Sequence, residues 1–326
     1  MKSLACVSQQ QNYNGLPMAW LKFIQSHAFV ICKTTSAILI SAAFSLTAAA
    51  QAVAQAVALV ATQPTSAPKP TSTPEQERLH LIQVLQKRLP GTNPADWVIG
   101  GAAYEPGVQA IPLSAENATN SADILAIGKK LWERKFSDGK SLANCFPNGG
   151  KRVAASYPQF DTATKQVVTF ELAINRCRQL HGEAAIDYAN AAVIGPLSAY
   201  GKSLAADQRL TVRVAGQPAR DRFDAGRYWF QQRVGQQNFA CASCHVLKAG
   251  EQYANAGLAP AVGQAVTWPR IQPGGSIRTL QAQFQRCMQR SGAEPFAVGS
   301  DEFNNLEYYL AYMSNGLPLR PLATAR

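Results

Sequence analysis

The sequence is poor in charge and in histidine. Only 16% of its 326 residues are charged, and only 4 are histidine. The formal net charge is +11, yet no long run of Lys or Arg occurs, which argues against a protein that binds nucleic acid. Apolar residues make up 47% of the chain and exclude a fully disordered protein. At about 100–200 residues per domain, the length predicts two domains once non-folding segments are removed.

The N-terminal segment contains no acidic residue and is organised like an export signal. Residues 1–56 carry three lysines, then an apolar run over 36–50, then Ala-Gln-Ala sites typical of signal-peptide cleavage. The apolar run has only about 15 residues, short of the roughly 20 that span a bilayer, so a cleaved signal peptide is favoured over a membrane anchor. Met18 is an alternative start. We therefore expect an exported chain, in which unpaired thiols need a reason.

A Pro/Thr-rich linker is predicted over residues 57–78, because such a composition cannot bury a core. The remainder divides into two predicted domains, 79–215 and 216–326. The fold class that we expect is mainly α.

The most specific motif is Cys241-Ala-Ser-Cys244-His245, the attachment signature of c-type haem. In such a motif the two thiols add to the haem vinyl groups, and the histidine becomes an axial ligand of the iron. A chance match and a metal-binding knuckle are the alternatives. A zinc site would need further Cys or His ligands nearby, and the sequence has none there. We therefore expect a covalently bound haem c, with its sixth ligand left open by the motif.

Helical periodicity surrounds this motif. Patterns over 224–235, 277–290 and 301–314 predict helices, the last of which ends before Asn-Gly and Pro. A helix, the haem motif, a loop and terminal helices within about 100 residues are typical of a small cytochrome c domain.

The first half resembles a degenerate copy of the second. Leu142 and Phe146 stand 99 residues before the first haem cysteine and the histidine, so this copy has lost both. We therefore expect two cytochrome c-like domains, of which the N-terminal one lacks haem. Cys145 and Cys177 are then left without a haem to hold. In an oxidising compartment a Cys145–Cys177 disulfide is favoured, with two free buried thiols as the alternative. His181, near Cys177, is interpreted as a surface histidine.

Cys287 is the remaining cysteine of the predicted mature chain, and a leftover Cys in an exported protein indicates a reactive thiol or an intermolecular bond. Two interpretations compete. In one, Met288 or Met313 is the sixth ligand of the iron, and Cys287 is a small buried apolar residue. In the other, the sulfur of Cys287 is that ligand, which lowers the reduction potential and suits sulfur chemistry better than simple electron transfer.

Several further segments make the chain resemble the SoxA family, the catalytic subunit of the periplasmic SoxAX cytochrome (L-cysteine S-thiosulfotransferase). The resemblance covers about residue 80 to the end. The segments, given by number, are 139–142, 174–178, 226–227, 233–236, 241–245, 263–264, 268–269, 280–287, 293–296, 299–300, 306–310 and 315–318.

The resemblance implies that His245 and Cys287 are the axial ligands of one haem c and that Cys287, often a persulfide in this family, is catalytic. It implies that the first haem is replaced by a disulfide. It also implies the substrate thiosulfate, a SoxX-like cytochrome c subunit, a SoxYZ-like sulfur carrier protein and a soluble cytochrome c as electron acceptor, all in the periplasm.

One position departs from the family pattern. The family commonly has Arg four residues before the active cysteine, and Gln283 stands there in this chain. Gln283 and Arg290 flank Cys287 on a helix, so Arg290, Arg286 or Arg278 is expected to replace the lost charge at the substrate. Two other classes stay open: a simple electron-transfer cytochrome with His/Met ligation, and a haem-carrying structural subunit that has lost its chemistry.

Overall fold

The computed structural model describes residues 72–103, 115–206, 208–253 and 256–322, and these are mainly helical. The predicted signal peptide and the predicted linker before residue 72 lie outside the described residues. No helix of the described ranges is long and apolar enough to cross a membrane. The helices are α1 Pro74–Arg88, α2 Ala115–Glu133, α3 Leu142–Cys145, α4 Phe170–Leu180, α5 Ala191–Ser203, α6 Gly216–Gln231, α7 Leu280–Arg290 and α8 Asp301–Met313.

Three short antiparallel hairpins connect the helices. They pair β1 Gln159–Asp161 with β2 Gln166–Val168, β3 Gln252–Tyr253 with β4 Ala256–Gly257, and β5 Arg270–Ile271 with β6 Ile277–Arg278. Each hairpin has only two or three residues per strand, so the helices provide the core and the hairpins set the positions of the loops. The expectation of a mainly α chain is confirmed.

Helix α1 begins at Pro74, inside the stretch predicted as a linker, and corrects the end of that linker. Thr73 supplies a capping box, in which its hydroxyl accepts from the backbone N–H of Gln76 and the Gln76 side chain accepts from the Thr73 N–H. Pro74 at the first helical position needs no hydrogen-bond partner for its nitrogen. The same Pro and Thr residues that read as a linker by composition therefore start a helix. The domain boundaries at 79, 215 and 216 stay predictions.

The two halves repeat the same order of elements. In each, a long helix (α2 or α6) leads through short helical turns to a hairpin (β1–β2 or β5–β6), an 11-residue helix and a 13-residue helix. The second half has the additional hairpin β3–β4 before this point. The 11-residue helices α4 and α7 both follow a threonine, Thr169 or Thr279, whose hydroxyl accepts a backbone N–H of the first turn.

Each half is built on a close crossing of two helices at a glycine. In the second half Gly226 of α6 lies against the Asn305 backbone of α8, where an added Cβ would be 2.6 Å from the Asn305 carbonyl carbon. In the first half Gly128 of α2 lies against Pro196 of α5 in the same way, and its Cβ would be 2.9 Å from the carbonyl carbon. Only glycine lets two backbones approach this closely.

The described residues from 72 onward belong to one compact unit, with a large core shared by both halves. A buried polar group also joins them. Lys202 of α5 pairs with Glu171 of α4 at 2.9 Å, and Glu171 faces Glu307 of α8, which accepts from Gln281 of α7 at 3.0 Å. The threonine cap at its N-terminus and the buried contact to α8 therefore both fix the position of helix α7.

Candidate active site

The C-x-x-C-H segment follows helix α6 through a tight turn. A β-bridge pairs Val234 with Phe239, and the Ala240 N–H donates to the Ser243 hydroxyl at 3.0 Å. These contacts start the short π-helical turn Ser243–Leu247. Cys241, two residues before this turn, and Cys244, within it, are both free thiols.

His245 has one ring nitrogen fixed by the backbone. Its Nδ1 lies 2.7 Å from the Ala259 carbonyl oxygen. Because a carbonyl only accepts, Nδ1 carries the proton and donates, which leaves the Nε2 lone pair available to a metal. Burial lowers the pKa of His245 and outweighs the Ala259 bond, so the imidazole is neutral. A neutral, oriented imidazole is the form that ligates haem iron.

Cys287 lies on α7 and interacts electrostatically with the thiols of the haem motif. Its side chain is exposed, and its Sγ accepts a hydrogen bond from Gln283 Nε2 at 3.3 Å. The thiol of Cys287 helps to raise the pKa of Cys241, for which burial is the main cause, to about 12. Cys244 in turn helps to raise the pKa of Cys287. Cys287 is therefore near enough to the haem motif to interact electrostatically with both of its thiols.

Positive charge surrounds the Cys287 sulfur. Desolvation raises the pKa of its thiol, whereas the Gln283 hydrogen bond, Arg290 and Arg286 lower it. Arg290 also lowers the pKa of Cys244 against the effect of burial, and its guanidinium lies 5.5 Å from the ring centroid of Tyr253. Arg278 is close enough for Cys287 to affect its pKa, and it donates to Gln283 Oε1 at 3.0 Å.

The two methionines considered as ligands occupy different surroundings. Met313 on α8 is 0% exposed and belongs to the core. Met288 is half-buried and packs against that core from α7. Cys287, by contrast, interacts electrostatically with the motif thiols and with Arg286 and Arg290.

The first half contains the predicted disulfide. Cys145 and Cys177 are bonded, with a Cα–Cα distance of 5.9 Å, so the alternative of two free thiols is wrong. His181 lies near these sulfurs, but its Nδ1 is 2.6 Å from Asp138 Oδ2 and its ring stacks on Phe136. Sulfurs in a disulfide do not ligate metal as thiolates, so this group does not form a metal site while the bond is intact.

Stacked aromatic rings pack beside this disulfide. The ring of Phe146, which stands in the place of the haem-ligating histidine, lies 5.2 Å from Trp132 and 5.7 Å from Phe170. All three are buried. This region therefore offers aromatic packing where the second half offers His245.

One relationship was missed by the sequence reasoning. Cys177 and Cys287 are both the eighth residue of an 11-residue helix that follows a threonine cap, 110 residues apart in the chain. The disulfide partner in the first half thus stands at the position of Cys287 in the second. Aligning Arg176-Cys177 with Arg286-Cys287 would have revealed it, but the earlier offset of 99 residues hid it because the loops between differ in length.

The residues of the second half fit haem c. They supply two free thiols at the required spacing, a neutral imidazole with an available Nε2, and a third thiol that interacts with the first two. A helical chain of two cytochrome c-like halves with this site is a c-type cytochrome.

Comparison with known proteins gives the family. The SoxA/TsdA cytochrome c domain model matches residues 127–210 and 225–319. The L-cysteine S-thiosulfotransferase subunit SoxA of Chlorobaculum tepidum is 39% identical over 191 residues, or 58% of this chain and 66% of that protein. The SoxA subunit of Allochromatium vinosum is 31% identical over 251 residues, 75% of this chain and 88% of that protein. The chain belongs to the SoxA/TsdA cytochrome c family, whose cytochrome c domain implies haem c.

A solved structure agrees on the fold. SoxXA from P. pantotrophus aligns with a TM-score of 0.58 and 24% identity, over 64% of this chain and 79% of that one. The match to the two Chlorobaculum relatives spans 66% of their length, slightly less than two thirds.

Proposed function

We propose that this chain carries one haem c in its second half. Cys241 and Cys244 hold it covalently, and His245 and Cys287 are its axial ligands. The free thiols, the oriented neutral imidazole and the electrostatic contact between Cys287 and the motif support this assignment. The Cys145–Cys177 disulfide and the aromatic packing of Phe146 take the place of a haem in the first half.

The proposed activity is that of an L-cysteine S-thiosulfotransferase in the periplasm. A carrier-protein thiol and thiosulfate combine to give a cysteine S-thiosulfonate, one proton and two electrons. One sulfur–sulfur bond forms, one S–H bond breaks, and the two sulfurs are oxidised together by two electrons. When bound, the haem supplies a one-electron acceptor. The observation that best supports the activity is a free, exposed cysteine among cations at the haem motif of a SoxA-family chain.

Cys287 is the proposed nucleophile. Its thiolate bonds to the sulfane sulfur of thiosulfate as two electrons leave, which gives an enzyme-bound S-thiosulfonate. The carrier thiolate then attacks that same sulfane sulfur, and Cys287 departs as a thiolate. No atoms are gained or lost in the second step, and the covalent link passes from one cysteine to the other.

The arginines have the charge and shape to bind the substrate. Thiosulfate is a dianion, and a guanidinium presents paired donors that match sulfonate oxygens. Arg286 and Arg290, which both lower the pKa of the Cys287 thiol, are the proposed substrate ligands, whereas the Gln283 amide is bonded to Arg278 and to the Cys287 sulfur. Arg290 is set in place by the Tyr253 ring.

The proposed partners are inferred from the number of electrons released and from the relatives in the family. Two electrons leave, and a single haem stores one, so a SoxX-like cytochrome c subunit is the proposed second acceptor in a heterodimer. A SoxYZ-like sulfur carrier protein supplies the thiol, and a soluble cytochrome c removes the electrons. The relatives named as thiosulfotransferase subunits support this proposal.

The test is Cys287→Ser in the haem-loaded chain assembled with its partner subunit. We expect loss of thiosulfonate formation, because the hydroxyl is a far weaker sulfur nucleophile and iron ligand. Met288→Leu is the matched control, since it removes the neighbouring sulfur and should leave the rate unchanged. A normal rate in Cys287→Ser, or loss of a Met–iron absorption band in Met288→Leu, would favour the electron-transfer interpretation.

A further inference from the structure

A chain of hydrogen bonds leads from Arg278 through Gln283 to the Cys287 sulfur. Arg278 Nη1 donates to Gln283 Oε1 at 3.0 Å, and Gln283 Nε2 donates to Cys287 Sγ at 3.3 Å. Gln283 and Cys287 are four residues apart on α7 and therefore share one face of the helix.

The Arg278 end of this series of hydrogen bonds is fixed by the backbone. Arg278 belongs to strand β6 and pairs with Arg270 of β5. The next residue, Thr279, is buried and caps α7. The strand pairing and the helix cap therefore set the distance between the Arg278 backbone and the first turns of α7.

The chemistry of the three groups sets the direction of the amide. A guanidinium has donors only, so Arg278 selects the oxygen end of the Gln283 amide. The nitrogen end then points at the sulfur. Without Arg278 the amide is free to turn its oxygen toward Cys287, where an oxygen next to an anionic sulfur is repulsive.

We propose that Arg278 is a positioning residue that holds Gln283 as an N–H donor to the sulfur of Cys287. The inference rests on the proposed function and deepens it. Gln283 thus stands where the family commonly has a cation. The positive charge of Arg278 lies one side chain further from the sulfur and orients the amide that donates to it.

This relay, the hydrogen bonds from Arg278 through Gln283 to Cys287, acts at a different step from Arg286 and Arg290. The Cys287 sulfur is most anionic as it departs from the enzyme-bound S-thiosulfonate, and a donor fixed toward it stabilises that charge. Arg286 and Arg290 instead meet the incoming dianion. Loss of the relay should therefore lower kcat, whereas loss of Arg286 should raise KM.

The test compares Arg278→Met, Gln283→Leu and the double variant in the haem-loaded chain with its partner subunit. Hydrogen bonds to charged groups are worth about 1.5–3 kcal/mol, and this long bond to sulfur belongs at or below the lower end, so we expect each single variant to lower kcat about three- to tenfold. The midpoint reduction potential of the haem should fall in both, because a sulfur that accepts no hydrogen bond donates more strongly to iron. Arg278→Lys keeps a donor for the Gln283 oxygen and should restore both values.

The double variant separates a relay from a simple charge effect. If Arg278 acts through Gln283, Arg278→Met adds nothing to either readout in the Gln283→Leu background. Arg286→Met is the matched control: its effect should be the same in both backgrounds, because Arg286 acts on the Cys287 sulfur by its charge. Full additivity of Arg278→Met and Gln283→Leu would overturn the relay.

If one of these variants does not fold, Gln283→Glu provides a second test of the relay. Gln283→Glu keeps an acceptor for Arg278 but removes the donor to sulfur, and it should lower kcat and potential at least as far as Gln283→Leu. A Gln283→Glu protein with wild-type values would also overturn the relay. If the wild-type complex forms no thiosulfonate, the proposed function fails, and the potentials alone still report whether the relay operates.

Discussion

Replacing Gly226 with alanine tests the helix crossing on which the haem-binding half is built. The added methyl group would lie 2.6 Å from the Asn305 carbonyl carbon and 2.8 Å from the Tyr309 Cβ, whereas real Cβ contacts are essentially never below 3.0 Å. These atoms belong to or adjoin the backbone and cannot rotate away, so α6 and α8 must separate.

The expected cost is large because the crossing cannot adapt. Overpacking costs about 1–3 kcal/mol in typical cores, and a clash with backbone belongs at the upper end. For a unit of this size, about 3 kcal/mol lowers Tm by roughly 6–12 °C. Gly195→Ala is the control. Its methyl would meet only side-chain atoms of Ile277, the nearest at 2.8 Å, and these can turn aside.

Gly128→Ala makes the matching change in the half without the haem motif. Its methyl would lie 2.7 Å from the Tyr200 Cβ and 2.9 Å from the Pro196 carbonyl carbon. Because both halves share one core, we expect Gly128→Ala and Gly226→Ala to lower the midpoint temperature of the same unfolding transition. This transition is followed by far-UV circular dichroism and by the haem Soret band. A Gly226→Ala protein with a Tm within about 1 °C of wild type would refute the packing argument. A Soret transition untouched by Gly128→Ala would refute the shared core.

Three further predictions follow from single contacts. Removing the disulfide with Cys145→Ala and Cys177→Ala opens a loop of 32 residues and should lower the free energy of unfolding by about 4 kcal/mol, measured with denaturant; a loss below about 1 kcal/mol would contradict it. Burial raises the pKa of Glu307 from its ordinary value of 4.5 to about 7, so between these values the folded chain holds a proton that the unfolded chain has released, and stability falls as pH rises. Wild type should therefore lose stability relative to Glu307→Gln between about pH 4.5 and pH 7, and parallel pH profiles would show that Glu307 does not titrate there. Arg286→Met should raise KM for thiosulfate several-fold and weaken its dependence on ionic strength, whereas an unchanged salt dependence in steady-state assays would exclude Arg286 from substrate attraction.

Much of the fold and of the site could be predicted from the sequence. The haem motif is local, so its spacing alone indicates Cys241, Cys244 and His245. The disulfide was predicted from compartment and from the two cysteines left over, and the structure confirms it. Helical periodicity gave the mainly α class, because the apolar faces repeat at helical spacing.

Other features depend on contacts between distant segments. The hydrogen bond from His245 to Ala259 and the stacking of Arg290 on Tyr253 join loops whose approach no local pattern encodes. The composition predicts a linker that extends to residue 78, beyond the start of α1, because the residues of the capping box, Thr73 and Gln76, lie in the Pro/Thr-rich stretch. The role of Arg278 required the pairing of β5 with β6, which is only two residues long in each strand.

The central claim is that Cys287 forms the covalent bond to substrate sulfur. The most direct measurement is mass spectrometry of the haem-loaded complex after incubation with thiosulfate and oxidised cytochrome c, in the absence of any carrier thiol. We predict that the peptide containing Cys287 gains the mass of one thiosulfate unit, that a reducing thiol removes it, and that Arg278→Met leaves the site of the adduct unchanged. Unmodified Cys287 in a complex that still transfers thiosulfate when carrier protein is added would contradict the account.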